Sequence, residues 1–533
     1  MLRWRAFVPT VALLLAGWAQ AAALAAPWNG EPQGWLQLLS LTLLVWLLRG
    51  VAQSADAGVG RALRRAAGLG WVYALAWLAG TFWWLFISMH TYGGLAAPLA
   101  VLAVLTLAGA LALFYMLACV GFVRVLVQRP QAAWLISALV FALLWTLAEL
   151  VRGRWLTGFP WGAIGYAHTD SWLAGYAPWL GVYGLGAVAA GVSGLVAGLL
   201  PLPGSSWGTA VAALRTRWPA LAALVVALTL PLGLQALWPS FTSSTGTRTV
   251  ALLQGNIPQN EKFLLSTGVV TALNWYGQEL HRSSASLVVA PETAMPLLLR
   301  RLPEGYWDGL VERFASGDQA ALIGVPLGSF QDGYTNSVLG LQPGLAAPYP
   351  YHKHHLVPFG EFVPPSFKWF VRLMNIPLGE FSRGALVQPS MAWQGQRYAP
   401  NICYEDLFGE ELAARFDDPA LAPTVLVNVS NIGWFGDGAA IDQHLQISRM
   451  RSLELERPML RATNTGPTVI IDHHGRVTHS LQRATRGVLE GEVEGRSGTT
   501  PYTRWVGAWG LLPLWLLAVL VSGAVLWMGR RRR

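Results

Sequence analysis

The sequence predicts a polytopic α-helical membrane protein of about eight transmembrane helices, with a mixed α/β sandwich domain inserted before the last of them. Three observations carry that prediction. Hydrophobic residues make up 53% of the 533 residues and charged residues only 12%, with 27 tryptophans, whereas a soluble chain carries about 25% charged residues. Apolar runs long enough to cross a bilayer, roughly 20 residues each, recur along the first half of the chain and once at its end. Between them, from about 240 to 503, short strand-like runs, Pro/Gly turns and most of the acidic residues replace the apolar runs.

The candidate spans fall near 6–26, 35–52, 69–89, 94–127, 133–151, 172–199, 219–238 and 505–528. This implies a membrane domain over 1–239, a soluble domain over 240–503, and a final helix with a basic tail over 504–533. Basic residues cluster at Arg3 and Arg5, at Arg49, Arg61, Arg64 and Arg65, at Arg124 and Arg129, at Arg215 and Arg217, and at Arg530 to Arg533. All of these fall on one side of the expected spans, while the loops "PWNGEPQG" and "MHTYGG" hold no Lys or Arg. The positive-inside rule therefore predicts both termini in the cytoplasm and the large domain on the outer face. The N-terminal "MLRWRAFVPTVALLLAGWAQAAALAAP" also fits a secretory signal, which would enter the membrane with the same polarity. Arg152 and Arg154 break the charge pattern in the aromatic loop "VRGRWLTGFPWGAIGY", and read either as interfacial anchors or as receivers of a lipid headgroup phosphate.

The formal charge of +9 does not indicate nucleic-acid binding, because the arginines sit in short clusters between apolar runs rather than in a stripe. With only Cys119 and Cys403, a disulfide framework is ruled out, and no CxxC or zinc spacing occurs. Cys119, inside "LALFYMLACVGF", reads as a small buried hydrophobe.

In the soluble domain the apolar runs "TVALLQGNIP", "SLVVAPETAM", "ALIGVPLG", "SVLGLQP", "RYAPNICYED", "TVLVNVSNIGWFG" and "TVIIDHHGRV" alternate with helix-compatible stretches, the pattern of covered sheets. Reactive groups follow several of these runs. Glu292 in "VVAPETAMP" is either a general base with a burial-raised pKa or a salt-bridged turn residue. Lys353 in "YHKHHLVPFGEFVP" is either solvated or a cation that stabilises an oxyanion. The adjacent His352, His354 and His355 suggest a metal, but no nearby carboxylate or cysteine completes a site, so neither metal nor cofactor is expected. Cys403 in "NICYEDLF" precedes Asp406, a candidate helix cap, and "FGEELAARF", a candidate helix. Near a helix N-terminus and a lysine its thiolate would be favoured, and the alternative is a packed, inert thiol.

In order, "APETA", "YHKHHLVPFGEFVP", "NICYEDLF" and "NVSNIGWFG" resemble the Glu-Lys-Cys signature of the nitrilase superfamily. With "QGNIPQ", "RATNTGPT", "TGFPW" and the plan of helices, one domain and a last helix, the chain resembles more narrowly the bacterial apolipoprotein N-acyltransferase family. The resemblance covers nearly the whole chain and implies a nitrilase-like αββα sandwich in the inner membrane with its catalytic domain on the periplasmic face. It implies Glu292 as base, Lys353 as oxyanion-stabilising cation and Cys403 as acylated nucleophile, with Glu361, Tyr404 and Glu405 in support, either glutamate being a candidate to orient Lys353. Phe263, after "QGNIPQNEK", stands where the family typically has tryptophan. It keeps a ring to pack against an acyl chain but loses the indole N–H.

The implied reaction moves an acyl chain from a phospholipid, typically phosphatidylethanolamine, through a Cys403 thioester to the amine of a diacylglyceryl apolipoprotein. A membrane-tethered amidase or nitrilase acting on a small C–N substrate shares the triad but has no use for eight spans. A transporter would place ionisable residues deep within its spans, where apart from Glu149 they are scarce.

Overall fold

The computed structural model describes residues 2–129, 134–202, 217–364 and 380–528. Arg215 and Arg530 to Arg533, part of the orientation argument, lie outside the described residues, as do the side chains of Arg3 and Arg5. The chain divides into two compact units, one comprising 1–86, 96–239 and 511–533, the other 87–95 and 240–510.

The first unit is helical: α1 (Leu2–Leu24), α2 (Gly34–Gln53), α3 (Val59–Thr81), α4 (Ala97–Gln128), α5 (Trp134–Arg154), α6 (Ala177–Leu199), α7 (Trp218–Leu237) and a last helix, Leu512–Met528. Among the described residues five helices are long and apolar enough to cross a membrane. The number reaches seven if two bent pairs, Val59–Thr81 with Leu85–Tyr92 and Pro501–Trp509 with Leu512–Ala524, are each one span. The apolar part of α1, Val8–Leu24, is shorter. Small residues let these helices approach closely: a Cβ on Gly17 of α1 would lie 2.5 Å from the Tyr73 carbonyl of α3.

An aromatic cluster fills the interior of this unit, with Trp77 stacked on Trp145 at 5.8 Å and edge-on to Tyr115 at 4.9 Å. Arg152 is buried beside it, donating from Nε to Tyr115 Oη at 2.8 Å and from Nη1 to the carbonyls of Phe159 and Trp161 at 2.6 Å each. Neither sequence reading of Arg152 holds, because its guanidinium is buried and turned toward internal acceptors. Arg154, two residues on, is exposed.

The second unit is a two-sheet sandwich. Its strands are β1 (Thr242–Gln254), β2 (Leu287–Ala290), β3 (Ala320–Ser329), β4 (Gly333–Leu341), β5 (Tyr349–His352), β6 (Met391–Trp393), β7 (Gln396–Ile402), β8 (Val425–Ser430), β9 (Met459–Thr463), β10 (Val469–Ile471), β11 (Val477–Ser480) and β12 (Gly487–Gly498). Among the described residues one sheet runs β12-β1-β2-β3-β4-β5 and the other β11-β10-β9-β8-β7-β6. In each, a central parallel trio (β1-β2-β3, β7-β8-β9) is flanked by antiparallel strands.

Central parallel strands are covered on both faces and so read as unbroken apolar runs, as "LVVA" of β2 does with all four residues buried. Alternate side chains divide between two cores. Val250, Leu252, Leu287 and Val289 meet Ile402, Val425, Val427 and Leu460 of the facing sheet. Ala251, Leu253, Val288 and Ala290 pack against α8 (Gly268–Arg282) and α9 (Tyr306–Ala315) through Leu273, Tyr276, Leu310 and Phe314. Each buried aliphatic side chain contributes about 1.5–3 kcal/mol. On the other sheet, α10 (Ala439–Leu455) is tied to β9 through Arg461, which donates to Ser448 and His444.

Candidate active site

Three strand ends present the predicted groups within the sandwich unit. β2 stops at Ala290, and Pro291, unable to donate to a ladder, precedes Glu292, where the chain turns through a left-handed Thr293 (φ +50°). β5 stops at His352, and Lys353 follows, its N–H bonded to the Asn336 carbonyl at 2.8 Å. β7 stops at Ile402, and Cys403 follows in the left-handed region (φ +52°), a conformation that costs a non-glycine residue about 1–3 kcal/mol.

Lys353 Nζ lies 2.9 Å from Glu361 Oε1 and 3.7 Å from Glu292 Oε1, and all three side chains are largely buried. Asn336 of β4 bridges the two carboxylates, its Nδ2 donating to Glu292 Oε1 at 2.6 Å and to Glu361 Oε1 at 2.8 Å. The Asn431 N–H donates to Glu292 Oε2 at 2.7 Å, and Lys262 Nζ to the Glu292 carbonyl at 3.1 Å. Asn336, Asn431 and Lys262 escaped the sequence reading. Asn336 and Asn431 stand as polar residues in or beside strand-like runs and Lys262 in the polar stretch "PQNEK", patterns that do not reveal what they face.

Burial disfavours the Lys353 charge, but Glu361 and Glu292 outweigh it and hold the ammonium above its ordinary pKa. Burial also pushes the Cys403 thiol up to about 12, with Glu292 adding to the rise and Lys353 opposing it. The expectation of a favoured thiolate is therefore reversed. Desolvation and a neighbouring carboxylate outweigh one cation, and the helix after Cys403 is a single 3₁₀ turn, Cys403–Leu407. A resting thiol needs a base, and Glu292 is the neighbouring carboxylate. Lys262 is driven down to about 7 by burial, against Glu292 and Cys403.

Glu361 receives Lys353 and the Val357 N–H, the latter at 2.8 Å. Glu405 does not reach toward Lys353 but accepts from Ile402 N at 2.6 Å, His354 N at 2.7 Å, His355 N at 3.2 Å and Tyr351 Oη at 2.9 Å. It thereby takes the capping position expected of Asp406, whose carboxylate turns inward to His444 and Ser448. "FGEELAARF" is helical as expected, though short. It starts after Phe408 as Gly409–Ala413 and tightens at Ala414 into a 3₁₀ turn, Ala414–Phe416.

Tyr404 is buried against His355 and Phe408 at ring distances of 5.7 and 5.4 Å. Phe263 is half-exposed beside the exposed Leu264 and Leu265. The three histidines diverge: Nδ1 of His352 lies 2.9 Å from Ser337 Oγ, that of His354 2.8 Å from the Gly384 carbonyl and that of His355 2.9 Å from Glu411. Among the described residues no group of three or more His, Cys, Asp or Glu is placed to hold a metal ion.

Comparison with known proteins places this arrangement in a lineage. Residues 249–502 match the carbon-nitrogen hydrolase family and residues 20–195 the N-terminal domain of apolipoprotein N-acyltransferase. A protein of Verminephrobacter eiseniae named apolipoprotein N-acyltransferase is 57% identical over 516 residues, covering 93% of this chain and 92% of its own. One of the same name from Ralstonia nicotianae is 44% identical over 94% of this chain and 90% of its own. Another, from Nitrosomonas europaea, is 38% identical over 88% and 90%. Likeness of this depth through both the helical part and the sandwich makes the chain a member of the apolipoprotein N-acyltransferase family, acyltransferases built on the carbon-nitrogen hydrolase fold.

Proposed function

We propose that this chain transfers a fatty acyl group from a phospholipid, with phosphatidylethanolamine as the expected donor, to the free amine of the diacylglyceryl-cysteine of an apolipoprotein. The observation that carries the reading is the convergence of Glu292, Lys353 and Glu361, with Cys403 beside them, at the ends of strands from both sheets. Glu292 takes the thiol proton. The sulfur attacks the ester carbonyl, and Lys353 balances the charge on the tetrahedral oxygen. Collapse breaks the C–O bond, Glu292 returns its proton to the leaving alkoxide, and a thioester and a lysophospholipid result. The acceptor amine then attacks the thioester, its proton passes to Glu292 and on to the departing thiolate, and the amide and the free thiol remain. Glu361 keeps Lys353 aimed, Glu405 and Tyr404 support the nucleophile's turn, and Phe263 meets acyl chain.

In this reading residues 1–239 form a membrane domain of about seven helices, 240–503 the catalytic domain on the periplasmic face of the inner membrane, and 504–533 an eighth helix with its tail. The test uses a Cys119→Ser chain, in which Cys403 is the sole thiol. With phospholipid alone, intact-protein mass spectrometry should find one acyl group per chain, labile to neutral hydroxylamine. A diacylglyceryl-cysteine peptide with a free amine should discharge it, and an N-acetylated one should not. Acyl transfer at full rate in a folded Cys403→Ala chain would sink the reading.

A further inference from the structure

Directly behind Cys403 lies a fully buried polar quartet that the transfer chemistry does not use. It joins Asp406 on the 3₁₀ turn, His444 and Ser448 one turn apart on α10, and Arg461 on β9, none of them solvent-exposed. Arg461 Nη2 lies 2.8 Å from His444 Nδ1, and Nη1 lies 2.7 Å from Ser448 Oγ. Ser448 Oγ donates to Asp406 Oδ2 at 2.5 Å. His444 Nε2 lies 2.8 Å from Asp406 Oδ1 and 3.2 Å from the carbonyl oxygen of Cys403.

The arrangement dictates the state of the ring. A guanidinium has five N–H donors and no acceptor, so Nδ1 facing Arg461 must carry the lone pair. Nε2 then carries the hydrogen, and both atoms it faces are acceptors. His444 is therefore neutral, in a single tautomer, with one N–H shared between a carboxylate and the nucleophile's own carbonyl. Asn428 Nδ2 approaches that carbonyl from β8 at 3.3 Å. The peptide following Cys403 is thus held from two elements, at the residue whose backbone sits at φ +52°.

We propose that His444 is a positioning residue for Cys403: locked by Arg461 and Asp406, its Nε2–H grips the Cys403 carbonyl and holds the left-handed backbone that aims the thiol at the donor ester. The proposal rests on Cys403 being the acyl carrier. Burial lowers the His444 pKa, Asp406 opposing and Arg461 adding to the drop, the same direction as the neutral ring that the donors and acceptors around it require. Strain at the nucleophile persists only where surrounding contacts over-determine it. A carbonyl released on one side lets the peptide rotate and the sulfur swing, and a displacement of about 1 Å at a reacting atom costs about 100-fold in rate.

The test compares His444→Leu and His444→Gln in the full-length Cys119→Ser chain, with thioester formation from phospholipid followed by intact mass. Leucine removes the donor. Glutamine puts an amide N–H near the Nε2 position and an oxygen toward Arg461. The expected result is a rate constant per folded chain about 100-fold lower for His444→Leu, an unchanged KM for phospholipid, and recovery of most of the rate in His444→Gln. Alkylation of Cys403 by iodoacetamide gives a second readout that needs no lipid and should rank the variants in the same order. A wild-type rate per folded chain in His444→Leu overturns the proposal, whatever the yield of folded protein. So does a glutamine variant as slow as the leucine variant, or an effect confined to KM. If the acyl-carrier reading itself is wrong, the wild-type chain forms no adduct on Cys403, a failure visible before any variant is compared.

Discussion

Asn336 sets the charge balance of the site. The Lys353 ammonium lies within 4 Å of two carboxylates, and the Asn336 amide donates to both carboxylates at once. Without it, the oxygen that each glutamate turns toward Lys353 would lose its amide donor, leaving the Asn431 and Val357 N–H groups on the other oxygens. A hydrogen bond to a charged group is worth about 1.5–3 kcal/mol, and each 1.4 kcal/mol is a factor of ten in rate. Asn336→Leu should therefore slow thioester formation by about 10- to 100-fold, read by intact mass in chains that still unfold cooperatively. An unchanged rate would remove Asn336 from the machinery. Glu292→Gln keeps the shape and one of the two acceptor positions but cannot take a proton from a thiol that burial pushes up to about 12, so no adduct should accumulate at any pH between 6 and 9. Lys353→Ala should also block the adduct by leaving the tetrahedral oxygen without its cation.

At the level of elements, the turn after β7 depends on one carboxylate. Glu405 accepts three backbone N–H groups and one hydroxyl from β5, β7 and the loop after β5. This one side chain thereby joins the strand end that presents Lys353 to the one that presents Cys403. Each donor left without a partner costs about 1–3 kcal/mol. Glu405→Ala is expected to destabilise the sandwich by at least about 3 kcal/mol, with Glu405→Gln retaining part of it, as measured by thermal unfolding and by proteolysis between 350 and 410. Equal stability of all three chains would show that water replaces the lost acceptor. Strand placement was visible in the sequence where an apolar run is unbroken, as in β1, β2, β3, β7 and β8, but not in β9, which lies buried in the sheet centre with Arg461 in the middle of its five residues. The edge strands β6 and β11 and the polar-faced β12 were not, because a strand with a solvated face has no continuous apolar run.

For the whole molecule, the proposal of a periplasmic sandwich makes a topological prediction. A reporter joined after Gly344, in the β4–β5 loop, should be active only as a periplasmic fusion. One joined after Gly58, between Arg49 and the Arg61, Arg64 and Arg65 cluster, should be active only as a cytoplasmic fusion. A cytoplasmic signal from the Gly344 fusion would place the active site on the wrong side of the membrane for lipoprotein substrates.

By itself the sequence determined the class of the protein and singled out the candidate reactive residues. Long apolar runs, short buried strands and a Pro-Glu, a Lys and a Cys at strand ends are local features, fixed by hydrophobicity over neighbouring residues. Tertiary structure alone decided what surrounds them. Arg152 changed from a surface group to a buried one, because its acceptors lie seven and nine residues away across a turn and on another helix. Asp406 gave its capping role to Glu405 and joined His444, Ser448 and Arg461, up to 55 positions distant in the chain. The Cys403 thiol became a proton-bearing group rather than a thiolate. Its ionisation is set by desolvation and by the field of charges from other strands, and those are sums over space that no stretch of neighbouring letters contains.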